Sequence, residues 1–342
     1  MLTPQQSNDG ALRRPIARFR LLRALSSAAL LAAATSGCLV GNPSRASRWN
    51  PAAATPHADI TRGVAYGPLR AQRLDLYAST ATQRDGRTIV FVHGGAWSGG
   101  DRTQVPPLVL DLLGYGWNVV SIDYRLTCAG AGQPLCAAAR FLDQIADVKL
   151  ALRFVKGHAS ELGIDPSRLI VAGYSAGGQL ATIAALSPGS MEPPFEHMDA
   201  AVSAATSDVR GYVDFNGPTD MQAVVTSHDQ LLGNFLAPSA AALFPSCVIQ
   251  ADRTAICDAD EVAKASAATW LDPADPTGYL FAGGGDTLVP PASQAVPFEA
   301  LATRVNGDAG RVWLDVAEGA GHSGWPDVNY RQLRNWLQRA VL

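Results

Sequence analysis

Hydrophobic and polar positions change their period repeatedly along residues 69–342 of this chain. Short apolar runs rich in β-branched and aromatic residues are typical of strands that are buried on both faces of a sheet. Residues 73–77 instead alternate between polar and apolar positions, which predicts a half-exposed strand. Buried strands are predicted at 88–92, 118–122 and 169–172, and three further strands at 212–215, 279–282 and 312–316.

Longer stretches with apolar positions at helical spacing separate these strands. Strand–helix alternation predicts an α/β fold, with a mainly parallel central sheet and helices on both faces. Residues 218–262 interrupt the alternation, and we interpret them as a small insertion over the carboxyl ends of the strands, where such sheets bind ligands. Asp147 and Lys149 are predicted to lie on the exposed face of their helix. Helices are predicted at 105–113, 137–158, 176–186, 291–305 and 328–342.

The first 38 residues have the pattern of an export signal, with a basic segment, a short apolar run and small residues before Cys38. This ending resembles a bacterial lipobox, which implies that Cys38 is diacylated and anchors an exported lipoprotein to a membrane. Cleavage after Ala34, giving a periplasmic or secreted protein, is the alternative. Residues 39–60, rich in Ala, Pro, Asn and Ser, are predicted to be a tether that leads into a domain at 61–342.

The remaining four cysteines fall into two pairs that are close in sequence. Export brings the chain into an oxidising compartment, where neighbouring cysteines usually form disulfides. The two local bonds, Cys128–Cys136 and Cys247–Cys257, are therefore the favoured connectivity. A zinc site is the alternative, but neither spacing is the short one that structural zinc sites use, and no metal is expected.

The overall composition describes a folded domain without a nucleic-acid partner. Hydrophobic residues make up 47% of the chain and charged residues 17%, which allows a sizeable core and excludes a disordered chain. The formal net charge is −3, and no basic stripe runs along the sequence.

Two glycine-rich segments directly follow buried strands. The sequence Gly-Tyr-Ser-Ala-Gly at 173–177 places Ser175 on a sharp turn between a strand and a helix, where the helix N-terminus favours an anion. A glycine-rich turn with a structural serine is the alternative. The sequence His-Gly-Gly-Ala-Trp at 93–97 can turn consecutive amide groups toward one point, as oxyanion stabilisation requires. His93 is expected to hold this loop by hydrogen bonds.

These two motifs together resemble the α/β-hydrolase superfamily. The pattern is similar to the carboxylesterase and hormone-sensitive-lipase-like branch, and to the bacterial acetyl-xylan and feruloyl esterase-like group, in which Gly-Asp follows the Trp as it does here. The resemblance covers about residues 66–342 and implies the α/β-hydrolase fold. It also implies oxyanion donors at the amides of Gly95, Ala96 and Ala176, where Ala96 replaces a glycine of many members.

An acid and a base follow later strands in the order that this superfamily requires, Ser175, then Asp286, then His322. His322 is expected to take the proton of Ser175 and to return it to the leaving group. Asp286 is expected to fix the imidazole tautomer and to stabilise the imidazolium. Other candidates for the acid are Asp220, Asp272 and Asp275.

The resemblance implies a serine hydrolase that needs no metal and no organic cofactor. Its expected substrates are carboxylic esters with short acyl groups, such as acetyl or feruloyl esters on a small molecule or a polysaccharide. Trp97 and Trp325 are candidates for the wall of the substrate pocket, with packing as the alternative for Trp97. An amide hydrolase of the arylformamidase or peptidase kind, or a non-catalytic ligand-binding homologue, is the alternative function.

Overall fold

The structure is a computed structural model that describes residues 57–127, 138–193, 198–227, 237–252, 254–324 and 327–342. The chain divides into two units, Met1–Ser44 and Arg45–Leu342, and the described residues all belong to the second. The predicted signal, Cys38 and most of the predicted tether therefore lie outside the described residues. No helix in the described ranges is both long enough and apolar enough to cross a bilayer.

The described strands span Ala58–Ala65, Arg73–Ser79, Thr88–Val92, Asn118–Ile122, Leu169–Tyr174, Gly211–Phe215, Val248–Ile249, Ala255–Ile256, Thr277–Gly283 and Val312–Ala317, numbered β1 to β10. Eight of them form one sheet in the order β1-β2-β4-β3-β5-β6-β9-β10. The strands from β4 to β10 in that order pair in parallel, while β1 and β2 add antiparallel pairs at one edge. This arrangement confirms the prediction of a mainly parallel central sheet.

Helices cover both faces of the sheet because neighbouring strand residues point to opposite faces. In β3, Val90 and Val92 pack into one hydrophobic cluster, whereas Ile89 and Phe91 pack into the other. Each cluster is closed by helices of its own. The helices span Pro107–Leu110, Phe141–Gly157, Ala159–Leu162, Ala176–Leu186, Ala200–Ala204, Met221–Val225, Ala237–Ala241, Ala259–Lys264, Ala295–Asn306 and Asp327–Ala340, numbered α1 to α10.

Some predicted elements differ from the observed ones. Strand β1 begins at Ala58, inside the segment predicted as a tether, and its alternating exposure shows why no buried run marked it. The helix predicted at 105–113 is a short α-helix, Pro107–Leu110, followed by a 3-10 turn at Asp111–Tyr115. Gly116, at φ 83°, adopts a left-handed conformation, and this ends the 3-10 turn.

The prediction that Asp147 and Lys149 are exposed is wrong, because both side chains are buried on α2. Asp147 accepts hydrogen bonds from the guanidinium of Arg125 and from the amide of Gln72. Lys149 donates to backbone carbonyl groups of the segment that follows α4. Buried charges of this kind persist because nearby groups complete their hydrogen bonds.

The described part of the predicted insertion contains short helices and a two-stranded hairpin that is separate from the central sheet. Strands β7 and β8 pair in antiparallel fashion, and the Cys247–Cys257 disulfide joins their outer ends. The structure therefore confirms this predicted bond, while Cys128 and Cys136 lie outside the described residues.

Candidate active site

Ser175 occupies a tight turn between β5 and α4, at the carboxyl edge of the sheet. Its backbone adopts φ 55° and ψ −122°, a conformation that L-residues rarely take. A Cβ atom at Gly173 would overlap the carbonyl of Gly177, and a Cβ atom at Gly177 would overlap the carbonyl groups of Val92 and His93. The two glycines of the motif are therefore required by close backbone contacts around the serine.

The three side chains predicted to act together form a continuous chain of contacts. Oγ of Ser175 lies 3.0 Å from Nε2 of His322, and Nδ1 of His322 lies 2.7 Å from Oδ2 of Asp286. The side chain of Asp286 is fully buried, so that its carboxylate meets the imidazole away from bulk water. This arrangement can transfer the hydroxyl proton of Ser175 to the imidazole while the carboxylate stabilises the resulting charge.

Backbone amides fix the orientation of the Asp286 carboxylate. Its Oδ1 accepts hydrogen bonds from the amides of Leu288 at 2.8 Å and Val289 at 2.9 Å. These bonds leave Oδ2 directed at His322. With Nδ1 donating to this carboxylate, Nε2 is the nitrogen without a proton and is available to accept one from the serine.

The competing acids occupy other positions. Asp220 is the N-cap of α6 and accepts a hydrogen bond from the amide of Ala223. Asp272 and Asp275 precede β9 and lie at the amino end of that strand, whereas His322 lies beyond the carboxyl end of β10. Burial raises the pKa of Asp275 to about 6, which reflects its desolvation rather than a contact with the imidazole.

The loop after β3 has a backbone suited to binding an anion. Gly95, Ala96 and Trp97 have consecutive positive φ values of 122°, 48° and 60°. Among the described residues, none accepts a hydrogen bond from the amide of Gly95 or Ala96. The amide of Ala176 is at the first position of α4, where no intrahelical acceptor exists. These three amides belong to the two segments that meet at Ser175, as an oxyanion site requires.

The pocket predictions have different outcomes. Trp97 is fully buried in the core, and its Nε1 donates to Oε1 of Gln179 at 2.7 Å, contacts that favour the packing alternative for this residue. Trp325 lies outside the described residues. Nδ1 of His93 donates to the carbonyl of Gly94, and its ring stacks on Tyr124 with centroids 4.4 Å apart. These contacts agree with the expectation that His93 holds the loop.

Two contributors to this site were missed in the sequence. The hydroxyl of Tyr174 and Nδ2 of Asn216 both donate to the backbone carbonyl of His322. Tyr174 occupies a variable position of the G-x-S-x-G pattern, and Asn216 directly follows β6, so that position at a strand end was the available signal. In the described part of the chain, no cluster of histidine, cysteine or carboxylate side chains is arranged as a metal site.

Comparison with known proteins places this geometry in a family. Residues 74–301, about two thirds of the chain, match the BD-FAE family. The chain belongs to the BD-FAE family. The matched region contains the predicted serine, the predicted acid and the glycine-rich loop of this BD-FAE protein, whereas His322 lies beyond its end.

The curated relatives of this BD-FAE protein include esterases. It is 33% identical over 233 residues to the probable carboxylic ester hydrolase LipM of Mycobacterium tuberculosis, a match that covers 66% of this chain and 48% of LipM. It is 36% identical over 155 residues to the esterase LipQ of the same organism, covering 44% of this chain and 35% of LipQ. The chain thus spans less than half the length of these two relatives.

Solved structures establish the fold of this BD-FAE protein as that of the α/β-hydrolases. A truncated carbohydrate esterase from gut microbiota matches with a TM-score of 0.69 and 22% identity, covering 84% of this chain and 98% of that one. Thermogutta terrifontis esterase 2 phosphoramylated by tabun matches with a TM-score of 0.59 and 23% identity, covering 83% and 95% of the two chains. The fold implied by the sequence motifs is confirmed.

Proposed function

We propose that this protein hydrolyses carboxylic esters with Ser175 as the nucleophile, His322 as the base and Asp286 as the orienting acid. The observation that carries the proposal is the contact of Ser175 Oγ with His322 Nε2 at 3.0 Å, continued to Asp286 Oδ2 at 2.7 Å. The esterases among its relatives give the reaction class independent support.

The first half of the proposed reaction forms an acyl-enzyme. Oγ of Ser175 attacks the ester carbonyl carbon while its proton passes to Nε2 of His322. The carbonyl oxygen becomes an oxyanion, which the amides of Gly95, Ala96 and Ala176 stabilise. The bond between the carbonyl carbon and the alkoxy oxygen then breaks, and the imidazolium returns the proton to the departing alcohol.

The second half of the reaction restores the enzyme. Water replaces the alcohol, gives one proton to Nε2 of His322 and attacks the acyl carbon. The bond to Oγ of Ser175 breaks, Oγ recovers the proton, and the carboxylic acid leaves. Asp286 stays ionised throughout, because its function is to stabilise the imidazolium rather than to accept the proton.

We propose esters of short acyl groups, such as acetyl or feruloyl esters on a small molecule or a polysaccharide, as the substrate class. The motif at 93–97 supports this assignment, since it resembles that of acetyl-xylan and feruloyl esterases. A panel of p-nitrophenyl acetate, longer p-nitrophenyl esters, methyl ferulate, acetylated xylan and a p-nitroanilide would define acyl preference and separate ester from amide hydrolysis.

The nucleophile is tested with p-nitrophenyl acetate and with the Ser175→Ala variant. We expect wild-type turnover and a loss of about 10⁴-fold or more in kcat for the variant. Paraoxon should modify the wild-type protein at Ser175, as mass spectrometry of its peptides would show. Unchanged turnover in Ser175→Ala, or modification at another residue, would contradict the assignment.

A further inference from the structure

The loop that carries His322 is attached to the sheet through its own backbone carbonyl. Nδ2 of Asn216 donates to the His322 carbonyl at 2.7 Å, and the hydroxyl of Tyr174 donates to the same oxygen at 2.9 Å. A carbonyl oxygen has two lone pairs, and these two donors occupy both. The backbone at His322 is therefore fixed by two adjacent strand ends, those of β5 and β6.

Asn216 also contacts the segment that leads to Asp286. Its Oδ1 accepts a hydrogen bond from the amide of Gly283, the last residue of β9, at 2.8 Å. The backbone amide of Asn216 donates to the backbone carbonyl of Phe281 at 2.9 Å. One buried side chain thus joins the loop that carries the acid to the loop that carries the base.

The backbone of Asn216 indicates that this contact is made at a cost. The residue has φ 54°, in the left-handed region, and its side chain is buried. Asn enters this region more readily than most residues other than Gly, although still with some strain. Strained residues at strand ends beside reacting groups are commonly retained for function.

The loop around His322 has much backbone freedom of its own. Gly319 and Gly324 both have positive φ values, at 74° and 91°, and Gly321 directly precedes the histidine. Glycines widen the range of conformations that a loop can sample. The imidazole, however, must reach Ser175 and Asp286 at the same time, and small displacements of reacting groups lower rates strongly.

We propose that Asn216 and Tyr174 are positioning residues, which hold the His322 backbone so that the imidazole meets its two partners. The inference rests on the proposed function of Ser175, His322 and Asp286. Both residues donate to the histidine carbonyl, the ring of Tyr174 also packs against the imidazole with centroids 5.2 Å apart, and Asn216 additionally fixes the start of the acid loop.

Two substitutions and their combination separate the parts of this arrangement. Asn216→Gly keeps the left-handed backbone but removes both side-chain hydrogen bonds, and we expect kcat to fall by about 10- to 100-fold with KM changed by less than about threefold. Tyr174→Phe removes one donor and should lower kcat by about three- to tenfold. In the variant that combines Asn216→Gly with Tyr174→Phe, the fold-loss of kcat should not equal the product of the two single losses, since both side chains hold the same oxygen.

Asn216→Asp provides a readout that lost stability alone would not change. The aspartate keeps an acceptor for the amide of Gly283, but its second oxygen can donate to the His322 carbonyl only while the carboxyl group is protonated. Burial beside a carbonyl oxygen favours this neutral form, so that the donor is present at low pH and is lost when the carboxyl group ionises. The kcat of Asn216→Asp, divided by that of the wild type, should therefore fall as pH rises through this ionisation, whereas the same ratio for the uncharged Asn216→Gly should not change with pH.

Asn118 supplies a matched control within the same sheet. It is also buried, its Oδ1 accepts from the amide of Ser79 at 3.0 Å, and its Nδ2 donates to the carbonyl of Gly163 at 3.3 Å. It stands at the amino end of β4, opposite the edge that holds the site. We expect Asn118→Asp to lower the melting temperature while leaving kcat and the pH profile unchanged.

The results separate this inference from the proposed function. Loss of turnover in Ser175→Ala with wild-type kcat in Asn216→Gly and Tyr174→Phe would overturn the positioning role alone. A kcat ratio of Asn216→Asp to wild type that does not change with pH, with activity lost only in proportion to unfolding as in Asn118→Asp, would do the same. If Asn216→Gly does not fold, the kcat of Tyr174→Phe decides, since it tests the same carbonyl.

Discussion

Asp214 is a buried carboxyl group close to the nucleophile turn. Its Oδ1 accepts a hydrogen bond from the amide of Gly217 at 2.6 Å, and its Oδ2 lies 3.3 Å from the hydroxyl of Thr182 on α4. Burial raises the pKa of Asp214 to about 7, against the partial compensation of these two hydrogen bonds. The folded protein therefore favours the neutral carboxyl over the carboxylate at this position.

The raised pKa predicts how stability depends on pH. The contribution of Asp214 to the free energy of unfolding is fully present below the unfolded-state pKa of about 4, and it is lost as pH rises through the folded-state pKa of about 7. Asn can accept from Gly217 and donate to Thr182 without ionising. At pH 8 we expect the free energy of unfolding, measured with urea, to be higher for Asp214→Asn than for the wild type by at most about 4 kcal/mol. At pH 4 we expect little difference between the two free energies.

A constant difference between the two proteins from pH 4 to pH 8 would contradict this prediction. Asp275, whose pKa burial raises to about 6, changes the stability of both proteins in the same direction. Its contribution therefore cancels when the variant is compared with the wild type at each pH.

Gly177 supports the site because it has no Cβ atom. A Cβ atom at this position would overlap the carbonyl oxygens of Val92 and His93, at the end of β3 and the start of the glycine-rich loop. Gly177→Ala should therefore push α4 away from that loop and displace Ser175. We expect kcat/KM for p-nitrophenyl acetate to fall by about 100-fold or more.

Gly163 is the control for this substitution. It has φ 67°, but a Cβ atom there would meet nothing within 4 Å. Gly163→Ala should cost about 1 kcal/mol of stability through backbone strain and leave kcat/KM unchanged. Equal activity in the two variants would show that close packing at Gly177 does not position the serine.

Residues of the site differ in whether the sequence alone identifies them. Ser175 belongs to a local motif, so that its position could be predicted from the residues next to it in the sequence. Asn216 belongs to no such motif, because its role depends on hydrogen bonds to residues that are 67 and 106 positions away along the chain. Asp147 and Lys149 were misplaced for the same reason, since their helical spacing gives no sign of the distant groups that complete their hydrogen bonds.

At the scale of elements, burial decided which strands could be predicted. Strands β3 and β4 are buried at every position, and their observed bounds equal the predicted ones. Strand β1 is exposed at most of its positions and pairs only with β2, at the edge of the sheet. An edge strand of this kind lacks the long apolar run that makes a strand visible in sequence.

The hairpin of β7 and β8 depends on its disulfide more than on its packing. Val248, Ile249 and Ile256 are each more than half exposed, so the hairpin buries little apolar surface of its own. The bond between Cys247 and Cys257 closes a loop with a sequence separation of 10, worth about 2.5 kcal/mol in the chain-entropy description. A two-stranded hairpin of this size is marginal without such support.

The variant Cys247→Ser/Cys257→Ser tests this dependence. We expect limited proteolysis to cut within the hairpin in the variant, or in the wild type after reduction, and to spare the oxidised wild type. Circular dichroism should show that the central sheet persists, because the hairpin is not paired with it. Equal protease resistance in all three samples would show that packing alone maintains the hairpin.

At the scale of the whole molecule, the sheet brings residues from distant parts of the chain to one edge. Ser175 follows β5, Asp286 follows β9 and His322 follows β10, and these strands are parallel and near one another in the sheet order. Carboxyl ends of parallel strands meet at the same edge, which makes three side chains from separate loops neighbours. Strand order, rather than sequence distance, therefore decides which loops can build the site.

The attachment of the molecule to a membrane is a separate proposal that concerns the chain before β1. We propose that Cys38 is lipidated and that the segment up to Ala58, where β1 begins, tethers the domain. A diacylated cysteine supplies two acyl chains, which is enough for stable anchoring, whereas one chain gives only reversible binding. The site is built from residues after Val92 and so does not require the anchor.

Cys38→Ser, expressed with its leader in a bacterial host, tests this anchor. We expect the wild type in the membrane fraction, with labelling by radioactive palmitate, and the variant in the soluble fraction without label. Because the substitution lies far from Ser175 in the chain, kcat/KM for p-nitrophenyl acetate in detergent should be equal for the two proteins. Membrane association of the unlabelled variant would show that another part of the chain makes the attachment. Solubility of the unlabelled wild type would favour cleavage after Ala34.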